Sequence, residues 1–312
     1  MKLSIVTSLY LSSNHLREFY KRIRAAADEI TEHYEIIFVN DGSPDDSMQV
    51  ALEIYKADDK VKILDLSRNF AHHKAIMTGL EYTKGELVFL IDCDLEEDPN
   101  LLLEFHRALA EEDNLDVVYG VQKARKGPLF EKVAGAIFYR LINFISDVKI
   151  PVNVSTVRLM KRAYVDQLVK HKDREMFLIG LWVLTGFEQK GISFTKGANN
   201  TSSYTIRKKV ADLVNAVTSF SNKPLYSIFY CGSVILFLST VYIVYLSYLT
   251  LVLKLPPAGF ASIVVSIWFL GGLIMFSIGV LGIYLAKIFI ETKKWPYTIV
   301  KAIYDRDKNS QT

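Results

Sequence analysis

Apolar and polar positions alternate in blocks along the first part of the chain, and the blocks change period. "KLSIVTSLY" is a short apolar run of strand length, and Leu16 to Ile30 follows with helical spacing. "YEIIFVNDGS" is a second strand that ends in the turn-rich "NDGSPDD". Ser47 to Tyr55 reads as a helix, "VKILDLS" as a third strand and Lys74 to Tyr82 as a helix. "ELVFLID" is a fourth strand, followed by a helix from Pro99 to Glu111 and a fifth strand at "LDVVYG". Strands that are apolar throughout, with helices between them, predict an α/β fold: a mostly parallel sheet covered on both faces. Ligands of such sheets bind beyond the carboxyl ends of the strands. Asp41, Arg68 and Asp92 all fall at such ends.

Further along, the pattern changes. A helical stripe runs through Phe130, Val133, Ala134, Ile137, Phe138, Leu141, Ile142 and Ile145, and is expected to pack on the sheet. A second stripe, Val210, Leu213, Val214, Val217 and Phe220, starts with basic residues and is expected to lie in a membrane interface. From Pro224 to Leu253 there is no charged side chain. Lys254 interrupts, and a second uncharged run extends from Leu255 to Ala286. A membrane-crossing helix needs about 20 mainly apolar residues, so both runs are long enough to span. Pro256, Pro257 and Gly259 supply the turn between them.

Charge then orients the spans. Arg207, Lys208, Lys209 and Lys223 precede the first run. Lys287, Lys293, Lys294, Lys301, Arg306 and Lys308 follow the second, and the connecting turn carries Lys254 alone. The bias predicts an inner-membrane protein with its folded domain and both termini in the cytoplasm. Met1 to Tyr10 reads as a strand without a cleavage pattern, so no signal peptide is expected. A net charge of +3 over 312 residues is too small to argue for nucleic acid. The basic flanks suit anionic lipid headgroups. Cys93 and Cys231 form no metal-binding pattern and fit a reducing compartment. Neither G-x-G-x-x-G nor G-x-x-x-x-G-K-[ST] occurs, which disfavours dinucleotide and P-loop chemistry.

The candidate chemistry sits in "VFLIDCDLEEDP". Asp92 and Asp94 are one residue apart at a strand end, so both carboxylates point the same way. They repel unless a cation lies between them. Mg²⁺ or Mn²⁺ takes such oxygen ligands and shares them with substrate phosphates. Glu96 is a third candidate ligand if the chain turns there. Glu97 and Asp98 are expected to face solvent or to start the next helix.

These residues resemble those of the inverting glycosyltransferases of family 2, with a GT-A fold. More narrowly, they resemble the membrane-anchored polyprenyl-phosphate glycosyltransferases, the bactoprenol glucosyltransferase and dolichol-phosphate mannose synthase group. The resemblance rests on "VNDGSPDDS" (39–47), "LSRNFAHHKAIMTGL" (66–80), "LIDCDLEEDP" (90–99), "VVYGVQKAR" (117–125), "VRLMKR" (157–162), "SFSNKPL" (219–225) and the tail "GVLGIYLAKIFIETKKWPYTIV" (279–300). It implies a cytoplasmic GT-A domain over residues 1–200, an interfacial amphipathic helix over 201–223, and a two-helix anchor with a basic tail over 224–312. It also implies that Asp41 contacts the nucleotide base with Arg68 nearby, and that Asp92 and Asp94 hold the metal against the donor diphosphate. Arg125 and Arg158 would meet the acceptor phosphate. His72 and His73 are given a structural role, at most as lining of the donor pocket, because no metal-ligand spacing accompanies them.

The implied reaction is metal-dependent transfer of a sugar from a nucleotide sugar to a polyprenyl phosphate at the inner leaflet. Two alternatives stay open: the same fold acting on a lipid-linked saccharide in surface polysaccharide synthesis, and an inactive membrane-anchored binding subunit. Homo-oligomerisation is left open. The chain departs from the family pattern at Glu96 (usually Gln), Gln122 (often Arg), "STVR" at Ser155 to Arg158 (often Gly-Asp-Phe-Arg) and "SLYLSS" (often Pro-x-Tyr-Asn-Glu). These departures bear on donor and acceptor identity more than on fold.

Overall fold

The structure is a computed structural model and describes residues 1–123, 153–173, 178–197, 223–251 and 259–306. The first half runs β1 (Leu3–Leu9), α1 (Ser13–Ile30), β2 (Tyr34–Asn40), α2 (Ser47–Ala57), β3 (Val61–Leu66), α3 (His72–Glu81), β4 (Leu87–Leu90), α4 (Leu101–Glu111) and β5 (Val117–Gln122). Then come β6 (Val154–Lys161), α5 (Arg162–Leu168), α6 (Leu178–Leu184), β7 (Gln189–Phe194), α7 (Lys223–Leu251), α8 (Phe260–Thr292) and β8 (Val300–Tyr304). The strands form one sheet in the order β7-β5-β6-β4-β1-β2-β3-β8. The block β4-β1-β2-β3 is parallel throughout, as the apolar pattern predicts.

Every residue of β2 is buried, because helices cover both sides of the sheet. On one face Ile5, Ile36, Phe38, Ile63 and Phe89 meet α1, α2 and α4. Helix α1 turns Leu16, Phe19, Ile23, Ala26 and Ala27 to that face. Each large side chain so buried contributes roughly 1.5–3 kcal/mol relative to exposure. On the other face Val6, Ile37, Val39, Leu64, Val88 and Leu90 meet α3, α5 and α6. Helix α3 is seated close to the sheet. A Cβ on Gly79 would stand 2.5 Å from Val6 Cγ1 and 2.7 Å from Val39 Cγ2.

Two strands run against the rest. β6, the segment containing "VRLMKR", is antiparallel to both β4 and β5. β8 is antiparallel to β3, with Ile63 opposite Tyr304 and Leu64 opposite Ile303. A division at about residue 200 therefore leaves part of the sheet with the anchor. The segment expected as a basic tail returns to the folded domain and completes its edge. Lys62 Nζ, nearly buried, lies 3.2 Å from Glu35 Oε2 and 3.1 Å from Asp305 Oδ2. The hydroxyls of Thr78 and Thr298 meet at 2.8 Å, and Tyr297 donates to Glu81 at 3.1 Å.

Between these ends stand α7, with 29 residues, and α8, with 33. At 1.5 Å per residue they are roughly 43 and 50 Å long, against about 30 Å of bilayer hydrocarbon. They expose Phe229, Phe237, Trp268, Met275 and Phe276, an apolar surface suited to lipid. Of the interfacial helix expected over 201–223, residues 201–222 lie outside the described residues and Lys223 opens α7; the stripe from Phe130 to Ile145 and the turn residues Pro256 and Pro257 also lie outside them.

The close seat of α3 gives a direct test. Gly79→Ala should destabilise the protein by about 1–2 kcal/mol, the overpacking outweighing the better helix propensity of alanine. Thermal melting of the detergent-solubilised chain against wild type measures it, and an unchanged melting temperature would show that α3 stands off the sheet.

Candidate active site

The carboxyl ends of β1, β2 and β4 lie side by side, and each feeds a polar loop. Asp41 follows β2. Its backbone N–H donates to Leu9 O at 3.0 Å, and its Oδ1 accepts the Phe70 N–H at 2.7 Å. Gly42 sits at φ +59°, and a Cβ there would be 2.5 Å from Arg68 C and 2.6 Å from Asn69 N. The loop after β3 is thus pressed against the turn after β2, which brings Asp41 and Arg68 together. Asp41 is buried, and burial raises its pKa against the pull of the Phe70 and Ala71 amides, His72 and Arg68. The Arg68 side chain is exposed, with its guanidinium 4.2 Å from the centre of the Phe70 ring.

Past β4 the acids converge. Asp94 Oδ1 accepts the Glu96 N–H at 2.9 Å, and Leu95 between them takes φ +60°. The turn sends Glu96 to Lys196, whose Nζ lies 2.6 Å from Glu96 Oε2. Burial, then the charge of Asp94, pushes the Asp92 pKa up to about 7; Lys196 and the Thr156 hydroxyl work the other way.

Glu97 does not face solvent, as its polar neighbours suggest it should. It is fully buried, takes a hydrogen bond from Ser155 Oγ, and its pKa is pushed up to about 8 by burial and by Asp92. The tight turn at Leu95 and Glu96 swings it inward toward β6. Asp98 behaves as expected: it is exposed, accepts the Asn100 N–H at 2.9 Å and pairs with Arg22 at 2.9 Å.

Two further residues enter the site: His72, expected to have a structural role or at most to line the donor pocket, and Lys196, which carries no signal in the sequence. His72 spans Ser8 and Asp92, with Nδ1 2.9 Å from Ser8 Oγ and Nε2 3.3 Å from Asp92 Oδ1. Lys196 reaches in from the end of β7, about a hundred positions away, where "FTKG" matches no motif. Arg158 is buried on β6, with the charge of Glu97 among those that act on it. It is 1% exposed, its guanidinium lies 3.0 Å from the centre of the Trp182 ring, and it donates to Ser155 O at 3.3 Å and Thr156 O at 3.2 Å. Burial pulls its pKa down to about 9, so it stays charged at neutral pH. It lines a cavity of about 300 Å³ with Tyr119, Trp182 and Phe187. Arg125 lies outside the described residues.

The residues present fit a divalent cation in part. Asp92 Oδ1 and Glu97 Oε2 are buried without a hydrogen-bond donor, and the donor set is all hard oxygen. Among the described residues no three His, Cys, Asp or Glu side chains are grouped to hold a metal by themselves. Mg²⁺ and Mn²⁺ commonly bind through one or two carboxylates plus substrate phosphates, so Asp92 and Asp94 would suffice if the substrate brings the rest.

Known proteins resemble this chain over most of its length. The glycosyl transferase family 2 profile matches residues 4–169. A protein of Mycobacterium tuberculosis assigned to the glycosyltransferases is 49% identical over 98% of this chain and 90% of its own. The bactoprenol glucosyl transferase of Shigella phage SfX is 30% identical over 97% of this chain and 99% of its own. Among solved structures, glucosyl-3-phosphoglycerate synthase of Mycobacterium tuberculosis, in complex with Mn²⁺, UDP-glucose and phosphoglyceric acid, overlaps with a TM-score of 0.49. It is 16% identical and covers 70% of this chain and 79% of its own. The family match shows a glycosyltransferase, and the mostly parallel sheet with its acid-lined carboxyl edge agrees with a GT-A fold. The chain belongs to glycosyl transferase family 2.

The buried carboxyls give a pH test. A carboxyl whose pKa is raised by folding keeps its proton in the folded state, while the unfolded chain loses it above the ordinary range. Stability then falls as pH rises from about 4 to about 8 and levels off beyond. Glu97→Gln should remove most of that fall, worth on the order of 2–4 kcal/mol at pH 8.5. Melting curves from pH 5 to 9 in chelator measure it; parallel profiles for the two proteins would mean that Glu97 is ionised when folded.

Proposed function

We propose that this protein transfers a sugar, with inversion, from a nucleotide sugar to a polyprenyl phosphate at the cytoplasmic face of the membrane. The observation that carries the reading is the coupling of Asp92 and Asp94, on the edge beside Asp41 and Arg68, to a pair of long apolar helices whose far end rejoins the same sheet. The relatives named as bactoprenol glucosyl transferases, matched over nearly their whole length, support a lipid acceptor.

In this reading Asp41 and Arg68 receive the nucleoside, and Asp92 and Asp94 hold Mg²⁺ or Mn²⁺ against the donor diphosphate; Glu96 serves as a third ligand only if it leaves Lys196. The cation supplies Lewis-acid stabilisation of the charge on the leaving diphosphate. Inversion follows from one displacement. An acceptor oxygen forms the new bond to the anomeric carbon as the bond to the diphosphate breaks on the opposite side. A phosphate monoester, with a second pKa of about 6, already offers an ionised oxygen at neutral pH. It needs cations to hold it and no base to deprotonate it. A sugar hydroxyl would need a positioned base. Arg158, buried yet charged, is the described cation assigned to the acceptor side, with Arg125 as its expected partner. A guanidinium fork suits phosphate oxygens.

The two helices form a hairpin across the bilayer, with both ends cytoplasmic. β8 supports this, because it follows α8 and pairs with β3 of the domain that precedes α7. An odd number of crossings would put the two strands on opposite sides of the membrane.

The chemistry is tested with the purified chain, a labelled nucleotide-sugar panel and either polyprenyl phosphate or a polyprenyl-diphosphate-linked saccharide. Product should form with the first acceptor. Asp94→Asn or excess chelator should lower turnover at least 100-fold, the scale of losing one element of transition-state charge stabilisation. Labelling of the saccharide alone would overturn the acceptor, and full activity in chelator would overturn the metal. For the topology, reporters placed after Thr312 and in the 256–261 turn should report opposite sides of the membrane; the same side for both would refute the hairpin.

A further inference from the structure

A guanidinium buried away from water is ordinarily matched by a carboxylate, because an unpaired charge there is costly. Arg158 is buried, yet no carboxylate among the described residues forms an ion pair with it. The acid whose charge reaches it is Glu97, and that carboxyl takes its hydrogen bond from Ser155. In place of an acid, Arg158 has the face of Trp182, 3.0 Å from guanidinium carbon to ring centre. Its other partners are neutral: Ser155 O, Thr156 O and the Tyr164 hydroxyl. The indole is itself held. The Trp182 carbonyl accepts from the Tyr164 hydroxyl at 2.9 Å and from Gln189 Nε2 at 2.7 Å. The Phe187 ring stands edge-on to Tyr164, with centres 5.6 Å apart. Arg158 and Trp182 line the cavity of about 300 Å³, and the acid on its wall, Glu188, is exposed. Trp182 Nε1–H is buried and has no acceptor among the described residues.

We propose that Trp182 is a positioning residue for the acceptor: its ring holds the Arg158 guanidinium where a carboxylate otherwise would, and so keeps the fork open for a phosphate. The inference rests on the reading that Arg158 receives the acceptor phosphate. A carboxylate would also hold a buried arginine. It would, however, occupy the N–H groups that a phosphate must use, and its charge would repel the incoming anion. An aromatic face attracts the cation through its quadrupole and takes no N–H, since the donors lie in the plane of the guanidinium and the ring lies over it. A guanidinium has five N–H donors, so the two carbonyls and Tyr164 leave part of the fork for an oxyanion in the cavity. The cavity also lies on the face of the sheet where Tyr297, just beyond α8, joins the same apolar cluster as Ile179 and Trp182. This is the face to which the chain returns from the apolar helices.

The test uses the full chain in detergent with polyprenyl phosphate and the nucleotide sugar that supports turnover, and reads KM for each substrate. Trp182→Leu should raise KM for polyprenyl phosphate about 10-fold, the scale of a desolvated cation–π contact, and leave KM for the nucleotide sugar within about 2-fold. Trp182→Phe keeps a weaker aromatic face and should recover most of the loss, leaving a rise of about 2–3-fold. Arg158→Gln should raise the acceptor KM at least as far as Trp182→Leu does. The double variant should be no worse than Arg158→Gln alone, because Trp182 acts through Arg158. Additive losses in the double variant, or an equal rise in both KM values in Trp182→Leu, would make Trp182 a support of the fold alone and overturn the inference. A wild-type acceptor KM in Trp182→Leu, with a raised one in Arg158→Gln, would overturn the positioning role and leave the phosphate reading of Arg158 standing. An unchanged acceptor KM in Arg158→Gln, or no product from wild type with polyprenyl phosphate, would overturn that reading and this inference with it. Should Trp182→Leu fail to fold, Trp182→Phe decides, and an acceptor KM equal to wild type overturns the role.

Discussion

Crowding of negative charge at the carboxyl edge of the sheet is the constraint around which the site is built. Asp41, Asp92, Asp94, Glu96 and Glu97 reach this edge from the loops after β2 and β4, and all five are partly or wholly buried. Water cannot screen such a group well, so the protein must. It does so in three ways. Lys196 is drawn in from β7 against Glu96, backbone amides are turned onto Asp41, and the Asp92 and Glu97 pKa values rise until protonation relieves the repulsion. A divalent cation would do the same work with two charges at one point. In the proposed reaction, binding a cation and its phosphate ligand would relieve the repulsion that the folded chain already holds.

That edge is kept in register by backbone that has little freedom to move. Gly42 lies against Arg68 and Asn69 at a distance no side chain would allow, while Ala71 and Leu95 adopt positive φ on either side of the acids. Such conformations persist only where neighbouring contacts over-determine them. Here the contacts are the buried hydrogen bond from Phe70 to Asp41 and the turn bond from Glu96 to Asp94. The loops are therefore shaped before any substrate arrives, which limits the ordering that binding has to supply.

The other organising feature is mechanical. The chain leaves the domain, runs out through α7, returns through α8 and ends by adding β8 to β3. Lys62, buried between Glu35 and Asp305, joins the second and third strands to that returning segment. Thr298 and Tyr297 tie it to α3, the helix that begins with His72. The apolar hairpin is thus fixed to the domain at its far end through the same helix that reaches the acid edge. In the proposed reaction this tether would keep the site at a set height above the lipid headgroups.

Much of this was legible in the sequence, and the reason is periodicity. Fully apolar strands alternating with amphipathic helices require a two-sided parallel sheet, and the two uncharged runs require an apolar surrounding; both follow from burial patterns a few residues long. Asp41, Arg68 and Asp92 could be placed at this edge because strand ends can be located from such patterns, and Asp94 followed from its spacing to Asp92; ligand sites of parallel sheets lie at strand ends. What stayed hidden depended on contacts between distant segments. β8 is five residues that pair with β3, more than two hundred positions earlier. Lys196 and His72 belong to no spacing rule, since a loop from β7 and the first turn of α3 reach the acids only after the sheet has formed. Glu97 reads as a solvent-facing acid among acids, and a single tight turn at Leu95 sends it inside. Local pattern decides which face a residue presents and where a strand ends; which charges then share one small volume is decided only when separate elements pack, because burial and Coulomb interaction depend on distance in space and not along the chain.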